Sequence, residues 1–315
     1  MFERILVPLD GSEAAEEALP LAEAWAHRTG APLHLVRVID PAGLGPLGTV
    51  MLHTDALAMQ LLLEEERIAA RAYLERVEQE VRDRQHAVTV EYRQGPAAQE
   101  LLAITQPGDL LVMATHGRGG LARWFLGSVA ETVVRRATVP VCLVRASDIA
   151  PRPFAIDRLV VPLDGSPLAE EALPTALSLA KRLQTPIHLI TVIDVSGGAP
   201  MELAAAAVSA RRFEETVTRH FTDAQALLAQ PHERLQEEGV VTSVEVRHGV
   251  PGAAIVDAVL PGDFIVMTSH GRTGPPRWFL GSVAEAVIRH ASVPVLLVRT
   301  TPSAPASSAG DSSEQ

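Results

Sequence analysis

Two glycine-rich loops hold the residues best suited to chemistry. The first reads Ala114-Thr115-His116-Gly117-Arg118-Gly119-Gly120-Leu121 and runs on to Gly127-Ser128-Val129. The second reads Thr268-Ser269-His270-Gly271-Arg272-Thr273-Gly274-Pro275 and runs on to Gly281-Ser282-Val283. Glycine admits positive φ and lets another atom approach the main chain closely, so clustered N–H groups can face an anion. A helix opening at Gly127-Ser128 adds unpaired N–H donors, the positive end of a dipole and a hydroxyl. These are parts for holding phosphate. Charge-assisted hydrogen bonds contribute about 1.5–3 kcal/mol each, so a few of them would support micromolar nucleotide binding after the cost of association. The same residues also suit a surface loop ending in an ordinary helix cap. Duplication would copy a structural loop as faithfully as a binding one, so both readings stay open on the residues alone.

Other chemistries are excluded. Of 27 basic residues only Lys181 is a lysine, and it stands in Ala180-Lys181-Arg182-Leu183, so the Gly-Lys-Ser/Thr of a P-loop is absent. Asp10-Gly11-Ser12 stands after the first strand-like run where a dinucleotide fold would need G-x-G-x-x-G, and no G-x-S-x-G hydrolase elbow occurs. A net charge of −11 excludes coating of nucleic acid or anionic lipid. No apolar run reaches the roughly 18 residues of a spanning helix. The N-terminal Met1-Phe2-Glu3-Arg4 passes straight into a strand pattern with no signal peptide, so a soluble cytoplasmic protein without a membrane partner is expected. The single cysteine, Cys142, forms no internal disulfide and anchors no zinc cluster, and its apolar surroundings read as a buried strand.

The elements that must position the two loops emerge from a repeat. Leu6-Val7-Pro8-Leu9-Asp10-Gly11-Ser12 returns as Val160-Val161-Pro162-Leu163-Asp164-Gly165-Ser166, an offset of 154, and Arg123 to Glu131 returns unchanged as Arg277 to Glu285. A unit this long is a whole domain. We therefore expect domains over 1–146 and 157–300, a linker over 147–156 stiffened by Pro151 and Pro153, and a disordered tail over 301–315. Within the first unit, strands are expected at Arg4–Leu9, Pro32–Ile39, Val88–Tyr92, Asp109–Met113 and Pro140–Val144, with helices between them. Ser12 should cap the first helix, Pro20 and Pro174 should kink it in each half, and a long helix should run through Leu61, Ile68 and Leu74. This alternation predicts an α/β chain of two tandem doubly wound, five-stranded parallel-sheet domains, Rossmann-like or flavodoxin-like, with strand order 3-2-1-4-5. In such sheets ligands bind beyond the carboxyl ends of the strands, where both loops lie.

A strand ending in Pro-Leu-Asp-Gly-Ser, a strand ending in Val-Ile-Asp, and the spacing Ala114-x-x-Gly117-x(9)-Gly127-Ser128 together resemble the universal stress protein family over essentially both domains. The resemblance implies binding of ATP, or a related adenine nucleotide, through Gly-x-x-Gly-x(9)-Gly-Ser/Thr, with occupancy as a regulatory signal. Carried over by position, Asp10 and Asp164 would hold the adenosine end. Val38 and Val192 would place adenine through main-chain contact. Gly117, Gly127 and Ser128, with Gly271, Gly281 and Ser282, would meet the phosphates, with Val129 and Val283 beside them; Arg118 and Arg272 suit either neutralising phosphate charge or a solvated surface. The first glycine of the pattern is Ala114 in one half and Thr268 in the other. A β-branched residue suits positive φ poorly, which favours the first site. Mg2+ or Mn2+ would come with the phosphates, with Ser128 as a protein contact. No residue is positioned by sequence as a general base, so hydrolysis would be slow at most. His116 and His270 suit loop-ordering hydrogen bonds, and Trp124-Phe125 and Trp278-Phe279 suit packing. His34 and His188 should face a neighbour or solvent. Family members associate through strand five, so Val141–Val144 and Val295–Val298 are candidate edges for pairing the two domains, and a homodimer is possible. The alternative is a nucleotide-free scaffold that makes contacts through those last strands. A nucleotidyl-transferase lacks its His and Lys signatures.

Overall fold

The computed structural model describes residues 2–41, 56–115, 126–145, 156–194, 210–269 and 280–299. The linker before Ile156 and the tail from 301 lie outside them.

Short β-branched runs become strands and the longer amphipathic stretches become helices. The first half holds β1 (Arg4–Pro8), α1 (Glu13–Glu16), α2 (Leu19–Thr29), β2 (Leu33–Ile39), α3 (Ala56–Asp83), β3 (Val88–Gln94), α4 (Ala97–Ile104), β4 (Asp109–Ala114), α5 (Ser128–Arg136) and β5 (Val141–Val144). The second half repeats it as β6 (Arg158–Pro162), α6 (Pro167–Glu170), α7 (Ala172–Leu183), β7 (Ile187–Asp194), α8 (Ala210–Glu237), β8 (Thr242–Gly249), α9 (Pro251–Val256), β9 (Asp263–Thr268), α10 (Ser282–His290) and β10 (Val295–Val298).

Every residue of β4 and β5 is buried, as strands of a sheet covered on both faces require. Alternation sorts the side chains between two cores. Ile5, Val7, Leu33 and Leu35 meet Trp25, Leu74 and Val77, while Leu6, Val36, Leu111 and Met113 meet Leu101, Val133 and Val134. Leu61 and Ile68 do not join either core: they are 62% and 63% exposed, and the buried stripe of α3 runs instead through Ala70, Leu74, Val77 and Val81.

Ser12 caps as expected and Ser166 repeats the cap, each side-chain oxygen accepting the N–H of the residue three positions on, at 3.2 and 3.1 Å. The prolines do not kink a continuous helix. The helix is divided in both halves, and Pro20 and Pro174 fall in the first turn of the second piece, where a missing N–H costs nothing.

Each half has the order 3-2-1-4-5, and the two fuse into one ten-stranded sheet, β3-β2-β1-β4-β5-β10-β9-β6-β7-β8. All pairings are parallel except the seam, where β5 and β10 run antiparallel with Cys142 opposite Leu296. The last strands thus satisfy each other's edges within one chain. Cys142 is fully buried, and burial raises its thiol pKa. Among the described residues no helix is long and apolar enough to cross a membrane.

Candidate functional site

β1 lies between β2 and β4, so the chain reverses its order of addition at β1 and the carboxyl ends of these three strands open side by side. Three of the expected segments meet there in each half.

The turn after β1 is built around a carboxylate. Asp10 Oδ1 accepts the Ser12 N–H at 2.9 Å and the Ser12 hydroxyl at 2.5 Å, and Asp164 does the same for Ser166 at 2.9 and 2.6 Å. Gly11 and Gly165 take φ of +80° and +79°, a conformation that side chains resist and the turn requires. One carboxylate oxygen therefore shapes the loop in each half.

Val38 and Val192, half-buried near the ends of β2 and β7, lean on the core face that carries α5 and α10. Beside Val38 is a residue that sequence reasoning missed. Arg37 is 6% exposed and its Nη1 donates to the Leu9 carbonyl at 3.5 Å. The guanidinium lies under Gly11, where an added Cβ would come within 3.7 Å of Nη2. Its counterpart at the same offset is Thr191, so the second half has no arginine at this position. An arginine inside the apolar run Leu35-Val36-Arg37-Val38-Ile39 was the available signal.

Ala114 and Thr268 are the buried last residues of β4 and β9, in strand conformation. Thr268 has no positive φ, so the expected penalty at the second site is removed: an extended strand suits a β-branched residue.

Gly127 and Gly281 serve differently from the expectation. Their N–H groups turn inward to the carbonyls of Thr115 and Ser269, both at 2.8 Å, and so are not donors to a ligand. Both sit as N-caps with ordinary extended dihedrals, φ −59° and −64°, ψ 146°. What glycine contributes here is the absence of a side chain at the mouth. The first internal bond of α5 is Glu131 N–H to the Gly127 carbonyl at 2.8 Å. Helix geometry therefore leaves the amides of Ser128, Val129 and Ala130 without an intrahelical acceptor, and those of Ser282, Val283 and Ala284 likewise. Ser128 and Ser282 are exposed. The chain can present these amides, the positive end of the helix dipole and a hydroxyl to an anion.

Gly117, Arg118, Gly271 and Arg272, with His116, His270 and the two Trp-Phe pairs, lie outside the described residues. Among the described residues no group of three or more His, Cys, Asp or Glu could hold a metal ion. A cleft of about 430 Å³ at the carboxyl end of β8, where Arg247 lies opposite Val192 of β7, is lined by Arg247, His248, Gly249, Val250, Ala253, Ala254 and Asp257, none of them an expected site residue.

Comparison with known proteins agrees with this architecture. The Universal stress protein family matches residues 1–145 and 155–299. A universal stress protein of Mycobacterium tuberculosis strain H37Rv is 30% identical over 300 residues, covering 94% of this chain and 96% of that protein. One from Methanocaldococcus jannaschii is 36% identical over 146 residues, 45% of this chain and 81% of that protein. The crystal structure of a universal stress protein from Archaeoglobus fulgidus superimposes with a TM-score of 0.66 at 22% identity, covering 94% of this chain and 98% of that chain.

Proposed function

The chain belongs to the universal stress protein family, with a tandem pair of its domains, and from that footing we propose that each half binds ATP or a related adenine nucleotide. The signal would be occupancy. The reading rests chiefly on one feature repeated in both halves: helix geometry leaves the first-turn amides of a nine-residue helix without intrahelical partners, and the Gly127 or Gly281 N–H ties that helix start to the end of the strand next to β1 or β6, the strands that lead into the Asp10 and Asp164 turns. Phosphates would seat on the amides of Ser128 to Ala130 and Ser282 to Ala284 and on the two serine hydroxyls, with Gly117, Arg118, Gly271 and Arg272 as further contacts that the family pattern implies. Asp10 and Asp164 would accept from the ribose, and Val38 and Val192 would meet adenine through the main chain. Mg2+ or Mn2+ would neutralise phosphate charge, bound by phosphate oxygens, water and the Ser128 hydroxyl; no proton-transfer step is assigned to it. Arg37 strengthens the first site by placing positive charge under its turn, and we rank that site the tighter on this ground.

Calorimetry of the full chain with ATP and Mg2+ tests the proposal. Two binding events are expected, with Gly127→Glu removing one and Gly281→Glu the other, because each carboxylate would fill the helix mouth. No heat at millimolar nucleotide overturns the reading. The nucleotide-free scaffold then becomes the better account, since the β5–β10 contact needs no ligand.

A further inference from the structure

The helix whose N-terminus forms the phosphate side of the first site is held at its other end by the second domain. Arg299, immediately after β10, directs Nη2 to the carbonyls of Val133 and Val134 in the last turn of α5. Its Nη1 lies 3.5 Å from the Ser269 hydroxyl. Ser269 is also the residue whose carbonyl holds the Gly281 N–H and so fixes the start of α10, the phosphate side of the second site. A single side chain therefore touches the scaffolds of both sites.

This fits a wider pattern along the seam. Arg145, the counterpart of Arg299 at the 154-residue offset, reaches the carbonyl of His290 at the end of α10 at 3.5 Å. Arg182 donates to the carbonyls of Arg28 and Thr29 at the end of α2, at 2.9 and 2.6 Å. Arginines of one domain thus cap helix C-termini of the other, where the helix dipole favours a cation. Arg299 is the most secluded: burial pushes its pKa down to about 10, which leaves it charged at neutral pH, and its Nε has no partner among the described residues.

We propose that Arg299 couples the two candidate sites, so that a change at the start of α10 alters anion affinity at the start of α5. The proposal takes the nucleotide reading as its premise for ligand binding, and the contact chain exists without it. An anion on the first turn of α5 and a guanidinium on its last act on one short rigid rod. Moving the rod moves the guanidinium, which is bonded to the residue that sets the start of α10. By linkage the effect runs both ways.

The test is a double-mutant cycle in the full chain with Ser282→Glu and Arg299→Gln. Ser282 is exposed at the first position of α10, where glutamate is well tolerated and its carboxylate competes with phosphate. Titrated with Mg-ATP, Ser282→Glu should remove one site and change the affinity of the other by about fivefold, the lower range of allosteric coupling. In the Arg299→Gln background that change should fall below about twofold. Arg299→Lys, which keeps the charge but loses the fork, should give an intermediate value. Equal changes in both backgrounds, or none in either, overturn the coupling.

Hydrogen exchange of the unliganded chain supplies a readout that needs no nucleotide. Ser282→Glu should alter protection of the Gly127 and Glu131 amides when Arg299 is present and leave it unchanged in Arg299→Gln. Absence of that difference overturns the coupling. Its presence in a chain that takes up no ATP would uphold the coupling and defeat the nucleotide reading alone.

Discussion

His34 is buried near the start of β2 with both ring nitrogens engaged: Nδ1 is 2.8 Å from the Thr89 hydroxyl and Nε2 is 2.9 Å from a carboxylate oxygen of Glu91. His188 repeats this with Ser243 and Glu245, each at 2.8 Å. Each carboxylate also accepts from an arginine two residues on, Arg93 or Arg247. Burial by itself would raise the Glu91 carboxyl, but hydrogen bonds from His34 and Arg93 together with their charges carry it below the ordinary glutamate value; for Glu245, hydrogen bonds from Arg247 and His188 do the same. A carboxyl whose folded pKa is depressed stabilises the protein above its unfolded pKa, about 4.3, and loses that contribution as pH falls through the folded value. The double variant Glu91→Gln, Glu245→Gln should therefore lose stability at neutral pH and show a flatter decline below about pH 4.3. Urea denaturation across the acid range checks this, and parallel curves for variant and parent would refute it. The strand pattern around His34 could say only that the ring meets a neighbour or solvent. Its partners lie 55 and 57 residues away, and only the β2–β3 register brings them across from it.

At the scale of elements, helix starts were well written in the sequence and their finer geometry was not. Ser12 and Ser166 stand at the end of a strand with acidic residues following, and both accept an orphan N–H as that pattern implies. Each serine also donates its hydroxyl to an aspartate two residues earlier, so the cap and the turn after the strand are one unit. Ser12→Ala and Ser166→Ala should each cost about 1 kcal/mol, typical of a lost N-cap, and the costs should add because the two sites share no partner. Chemical denaturation of both single variants and the double gives the test; a double equal to either single would show that the turns are not independent. The starts of α5 and α10 show the limit of such reading. Glycine at 127 and 281 permits almost any dihedrals, so spacing identified which amides stand at the mouth but not which way they point. The choice is made by the carbonyls of Thr115 and Ser269, which capture the glycine N–H groups, while helix geometry leaves the next three amides without an intrahelical acceptor. Thr268 was misjudged for a related reason: the family pattern names a glycine there, yet the position is strand, where a glycine's freedom is not needed.

For the whole molecule, the 154-residue repeat predicted two similar sheets, and the resemblance predicted that the last strands would join them. Neither predicted how completely the cores would merge. Trp25 of the first half is 1% exposed and packs edge-on against Phe264 of the second, itself fully buried, with ring centroids 5.6 Å apart. Each of the two hydrophobic cores contains residues from both halves. A lone tryptophan in α2, not repeated at its offset, carried no sequence sign that its partner lay in the other domain. Multidomain chains commonly unfold in steps, because domain interfaces are small and polar beside domain cores. Here the interface is a strand pairing with two shared cores, so neither half can unfold without exposing apolar surface of the other. The intact chain should therefore melt in one transition whose calorimetric and van't Hoff enthalpies agree. Leu296→Asp would set an unpaired carboxylate against Cys142 at the seam and should cost at least about 4 kcal/mol, as buried unpaired charges do. Its characteristic effect should be to split the melt in two, since the strand pairing is lost while each half keeps its other four strands. Trp25→Ala, at about 3–5 kcal/mol for a large-to-small core change, removes packing without breaking the sheet and should lower the midpoint of a transition that stays single. Two resolved transitions in the parent chain would mean that the halves are stable alone, and the same weakness at the seam would deprive Arg299 of the rigid backing its coupling requires.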